Sequence, residues 1–144
     1  MGAIWWSLLP HLALESPAQE GSVRQSGLAA LKVKLKAFYK ANKPQSTINV
    51  KKLTLKWIKG KGAPKLRAKA GQASCLAPFT LELARDFAEA DGALGQHRHQ
   101  CMATLAGICS LAKQDVLTHA DLTNWRRLSV EHLGFAYSGY SCSW

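Results

Sequence analysis

Apolar residues recur along this chain at helical rather than strand spacing, in blocks separated by Gly, Pro and Ser. In LAALKVKLKAFYK, residues 28–40, the positions from Leu31 to Lys36 alternate apolar and basic as a strand would. The longer window overrides that alternation. At 100° per residue, Leu28, Leu31, Leu35, Phe38 and Tyr39 fall within one arc of about 100°, with Lys32, Lys36 and Lys40 beside it at i, i+4 spacing. Ser26 is the expected N-cap, and Lys43-Pro44 ends the helix, because a residue before proline avoids the helical region.

The next block, STINVKKLTLKWIKGKG, spaces Val50, Leu53 and Trp57 helically, with Ser46 or Thr47 as cap and Gly60 in the place of a C-terminal glycine. Its Thr54 to Trp57 reads equally as strand. Pro64 fits the first turn of a short helix, PKLRAKA, ended by Gly71. Pro78 opens PFTLELARDFAEA, with a stripe of Phe79, Leu83, Phe87 and Ala90 and an end at Asp91-Gly92. Over residues 97–117, Met102, Leu105, Cys109, Ala112 and Val116 form the cleanest stripe in the chain. Asp121 caps LTNWRRLSVEHL, where Leu122, Trp125, Ser129 and Leu133 share a face and Gly134 is the stop.

These blocks predict a mostly α chain: a small irregular bundle of about five to six short helices over residues 28–133, with loosely ordered ends. Residues 1–27 divide into an apolar segment and a linker. AIWWSLLPHLAL has the apolarity of a signal-peptide core, but no Lys or Arg precedes it, and Ser7, Pro10 and His11 interrupt it. It is shorter than the roughly 20 residues that span a bilayer. It reads as a packing arm or a loose hydrophobic tail. Residues 134–144 are aromatic and serine-rich without helical pattern.

Charge changes the picture most. Residues 21–81 carry fourteen Lys or Arg and no Asp or Glu, whereas residues 82–144 carry seven acids and five bases. At ordinary composition a segment of this length holds about seven acids. A field of one sign attracts polyanions: nucleic acid first, then an anionic membrane surface or an acidic protein. The cations expected to bind are Lys32, Lys36, Lys40, Lys51, Lys52, Lys56, Lys59, Lys61, Lys65, Arg67 and Lys69, with Trp57 and Tyr39 among them as stacking rings or, alternatively, as core residues. Lysine outnumbers arginine in the tract, so little sequence selectivity is expected: arginine reads guanine with a bidentate fork, while lysine is a mobile point charge. Use of the 28–40 helix at a membrane surface requires its apolar stripe to be free.

Other chemistry is incomplete. Gly60-Lys61-Gly62-Ala63-Pro64-Lys65 finishes neither glycine-rich phosphate motif. His97, His99 and Cys101 invite a metal, but on a helix His99 lies about 160° from Cys101, so only His97 and Cys101 share a side. There is no C-x-x-C and no N-x-S/T sequon. Gly139-Tyr140-Ser141-Cys142-Ser143 misses the nucleophile elbow by its last residue, and Glu82, Asp86 and Glu89 read as a wet helix face. No catalytic residue, metal or cofactor is assigned. The expectation is a non-enzymatic intracellular domain, nuclear or cytoplasmic, that binds nucleic-acid phosphates. The alternative is a protein-interaction or structural module, or a piece of a larger protein or an unevolved reading frame, whose charge serves solubility.

Overall fold

The computed structural model describes residues 1–15, 22–59, 64 and 66–140, and of residues 135–140 the backbone only. Among them it has six α-helices and no strand: α1 Gly2–Leu14, α2 Val23–Asn42, α3 Leu55–Ile58, α4 Ala70–Asp86, α5 Gly92–Leu111 and α6 His119–Tyr140, with a 3-10 turn at Val50–Lys52. The mostly α expectation holds. The chain divides into two compact units after Thr80, inside α4. That division does not coincide with the sequence boundaries at 27/28 and 133/134.

In the Met1–Thr80 unit, α1 packs against α2 and α3. Of the two readings of the apolar N-terminal segment, the packing arm is the one observed: Trp5, Leu8, Leu9 and Leu12 are fully buried. The residues that interrupt the apolar run, Ser7, Pro10 and His11, fall on the other side of the helix. Trp5 anchors the helix. Its indole N–H donates to the Thr80 hydroxyl at 2.8 Å, and its ring meets Phe79 edge-on at 5.9 Å. Phe38 lies 5.3 Å from Phe79, so α1, α2 and α4 share one aromatic cluster.

The stripe foreseen on α2 is buried at Leu28, Leu31, Leu35 and Phe38. Its start is earlier than expected. Ser22, not Ser26, caps the helix, in a box where Ser22 Oγ accepts from the Gln25 N–H and Gln25 Oε1 accepts from the Ser22 N–H. Ser26 is buried one turn inside, facing the core beside Gly27. The stop is where proline demands it: Lys43 adopts the left-handed conformation, φ 42°, and its N–H reaches the Tyr39 carbonyl.

The single helix expected over 46–59 is broken in two. Asn49 caps the 3-10 turn and Thr54 caps α3, each through its side-chain oxygen, and neither Ser46 nor Thr47 does so. Local side-chain acceptors compete with the ladder and interrupt it. Ile48, Leu53 and Ile58 are the buried positions, and Val50 and Trp57 are not. PKLRAKA is not helical at residues 66–69, and Pro78 does not open a helix but lies inside α4. Burial of Leu76, Ala77 and Phe79 around the proline outweighs the hydrogen bond it forfeits.

In the second unit, α5 and α6 pack as a pair. Gly92 starts α5 with φ +53°, a conformation that favours glycine. Asp91 does not cap the helix with its carboxylate, which is paired with the buried Arg98. The stripe expected over 97–117 is corrected at its end: α5 stops at Leu111, and Val116 is exposed. On α6, Thr118 and Asp121 share the start: the Thr118 hydroxyl accepts from the Asp121 N–H, and the Asp121 carboxylate accepts from the Thr118 N–H. Leu122 and Leu133 are exposed, while Trp125, Leu128 and His132 are half-buried, so the inner face is turned from the expected one. Gly134 does not stop the helix, which continues to Tyr140. The tail residues 141–144 lie outside the described residues, as do 16–21 and 60–63.

Candidate nucleic-acid interface

The division between units coincides with the division of charge. Residues 1–80 hold fourteen bases and two acids, and residues 81–144 hold five bases and seven acids. The described part of the basic tract therefore folds with α1 into one body, and its interleaved leucines and phenylalanines share a core with Trp5, Leu8, Leu9 and Leu12.

On α2, Lys36 and Lys40 are exposed and Lys32 is half-buried, on the flank of the buried stripe. One lysine per turn repeats about every 6 Å along the helix axis. Lys51 and Lys52 are exposed on the 3-10 turn, Lys56 and Lys59 on and just after α3, and Arg67 and Lys69 on the segment leading to α4. Lys61 and Lys65, with most of the glycine-rich segment 60–65, lie outside the described residues.

Hydrogen bonds to backbone carbonyls draw several of these pieces together. The Arg67 N–H donates to the Trp57 carbonyl at 3.3 Å, and Gln72 Nε2 donates to the Thr47 carbonyl at 2.9 Å. Both the 3-10 turn and α3 pack on α2. Tyr39 is used structurally: its hydroxyl accepts from the Ile48 N–H at 3.1 Å, and burial pushes its pKa up. Tyr39 and Trp57 are both half-buried.

Among the described residues, little of the tract's charge is neutralised by ion pairs. Glu15 reaches Lys34 at 3.0 Å. Among the described residues no carboxylate forms an ion pair with Lys36, Lys40, Lys51, Lys52, Lys56 or Lys59. The stripe of Leu28, Leu31, Leu35 and Phe38 on α2 is buried in the core. No helix among the described residues is long and apolar enough to cross a membrane.

Two features escape a sequence reading. Trp6, adjacent to the buried Trp5, carries the Arg24 guanidinium 4.5 Å and the Lys59 ammonium 4.8 Å from its ring centroid. The sequence signal was present only in part: neighbours on a helix point about 100° apart, so two adjacent tryptophans cannot both face the core centre. The second feature is at Cys101. His97, His99 and Cys101 are all helical in α5, and among the described residues no group of three His, Cys, Asp or Glu is arranged for a metal. Cys101 instead meets α6. His132 Nδ1 lies 3.2 Å from both the Cys101 carbonyl and Thr104 Oγ1, and 3.8 Å from Cys101 Sγ. Burial pushes the Cys101 thiol pKa up. The group joins two helices. Glu82, Asp86 and Glu89 are exposed.

No protein-family model matches the chain, and neither a curated protein nor a solved structure does.

Proposed function

We propose that the Met1–Thr80 unit binds the phosphate backbone of nucleic acid with little sequence selectivity, as a binding rather than a catalytic domain. The observation that carries this reading is the segregation of uncompensated, solvent-exposed cations on one folded unit. Each cation that meets a phosphate releases condensed counterions, and this release drives association. With lysine dominant, the contacts position the chain without reading base edges.

The test is the salt dependence of binding to duplex DNA. About five phosphate contacts give a slope of log K against log salt of roughly −4.5, a loss of about 500-fold between 50 and 200 mM salt. Replacing Lys51, Lys52, Lys56 and Lys59 together with Gln removes about 3.6 from the slope. The helical signal should stay intact, since all four side chains are exposed. Absence of binding at low salt, or binding indifferent to salt, refutes the proposal.

A second reading, a protein-interaction module, is favoured by different residues. On α6, Leu122, Val130 and Leu133 are 53%, 64% and 55% exposed and fall within an arc of about 80°. Comparison of DNA, RNA, anionic vesicles and an acidic polypeptide separates the readings. Preference for the polypeptide over both nucleic acids, at equal charge, supports the second.

A further inference from the structure

Among the described cations of the basic unit, Arg24 and Lys59 are held against an aromatic ring. Arg24 stands in the first turn of α2, and Lys59 follows α3 as its C-cap. Both lie against the half-buried Trp6 of α1, their charged centres within 4.5 and 4.8 Å of one ring centroid. The ring itself is well fixed. Its neighbour Trp5 is fully buried and hydrogen-bonded to Thr80, which sets the rotation of α1, and α1 packs on both α2 and α3. Three elements thus converge to place two like charges against one indole ring.

Among the described residues no carboxylate pairs with either cation, and Glu15 is used on Lys34. An aromatic ring attracts a cation without neutralising it, so both charges remain available to an anion. Held side chains also lose less rotamer freedom on binding than free lysines do. Arg24 adds a planar donor fork suited to phosphate oxygens.

We propose that Arg24 and Lys59, organised by Trp6, form the fixed phosphate clamp of the basic unit, the point where a nucleic-acid backbone phosphate is held most tightly while the remaining lysines supply diffuse attraction. This rests on the function proposed above and names its principal site. Neither Arg24 nor Trp6 belongs to the set expected from sequence.

The full chain, titrated into a labelled 20-nucleotide oligothymidylate, tests it. Two double variants remove the same charge: Arg24→Gln with Lys59→Gln, and Lys36→Gln with Lys40→Gln. Both should lower the salt slope by about 1.4, the value for two contacts to a single strand. The clamp variant should lose at least about tenfold in affinity and the α2 variant about threefold, and the gap between them should persist as salt rises, because it reflects geometry rather than ion release. Trp6→Leu keeps both charges, so it should weaken binding several-fold with an unchanged slope. If Trp6→Leu fails to fold, Arg24→Lys decides: it keeps the charge, loses the fork and should bind less tightly than wild type. Equal losses from the two double variants overturn the clamp and leave the basic-unit reading standing. Failure of the wild-type chain to bind the oligonucleotide at low salt overturns both.

Discussion

Gly27→Ala should destabilise the Met1–Thr80 unit even though alanine is the better helix former. Gly27 lies on α2 against α1. A Cβ there would sit 1.9 Å from the Leu9 carbonyl oxygen, 2.7 Å from its carbonyl carbon and 2.9 Å from its Cα. These are backbone atoms, so no side-chain rotation clears them. An ordinary carbon–oxygen contact is about 3.3–3.6 Å, which requires α1 and α2 to separate locally by about 1.5 Å. A gap of 0.5–1 Å already forfeits about a quarter to a half of the dispersion well. The side chains affected include Leu8, Leu12, Leu31 and Leu35, all fully buried. Propensity returns about 1 kcal/mol. Overpacking costs about 1–3 kcal/mol where side chains can adjust and more where they cannot. The expected net loss is about 2–4 kcal/mol, or about 5–15 °C in melting temperature. Thermal denaturation followed by circular dichroism reads this directly. Gly71 in α4 is the control, with no atom within 4 Å of its added Cβ. Its alanine variant should be unchanged or up to about 1 kcal/mol more stable. A Gly27→Ala protein that melts with or above wild type refutes the close approach of α1 and α2.

Two further predictions address buried polarity and pH. Thr80→Val removes the acceptor of the Trp5 indole N–H and strands that donor in the core, so it should cost about 1–3 kcal/mol by chemical denaturation; a variant as stable as wild type shows the bond does not form. At Asp121, hydrogen bonds from the Thr118 hydroxyl and N–H hold the carboxyl below its ordinary range. A lowered folded-state value stabilises above the unfolded carboxylate pKa, and that contribution disappears as pH falls through the lowered value. Asp121→Asn should therefore melt below wild type near neutrality, and the two curves should converge in acid. A gap that stays constant with pH contradicts the assignment.

How much was legible varies by element, for identifiable reasons. The stripe of α2 and its stop before Pro44 could be read because helical period and proline sterics act locally. The helix α1 had an equally clear pattern, Ile4, Leu8 and Leu12 beside Trp5 and Leu9, but a reading by apolar run length treats Ser7, Pro10 and His11 as interruptions. Read by angle, they lie on the opposite side. Pro78 misled in the other direction, since its helix is sustained by the burial of flanking residues, which no local rule registers. Leu122 and Leu133 of α6 could not be placed either, because several apolar arcs were available and packing with α5 selected another.

The sequence by itself determined that this chain is helical and that its cations are crowded into the first half. Both follow from one-dimensional quantities, periodicity and net charge. Only the tertiary structure decided which lysines are merely exposed and which cations are held. The relation of Trp6, Arg24 and Lys59 depends on the rotation of α1, pinned by Trp5, and on where α2 begins and α3 ends. Contacts between residues so far apart in the chain arise from packing of whole helices, and the spacing along the chain carries no record of them.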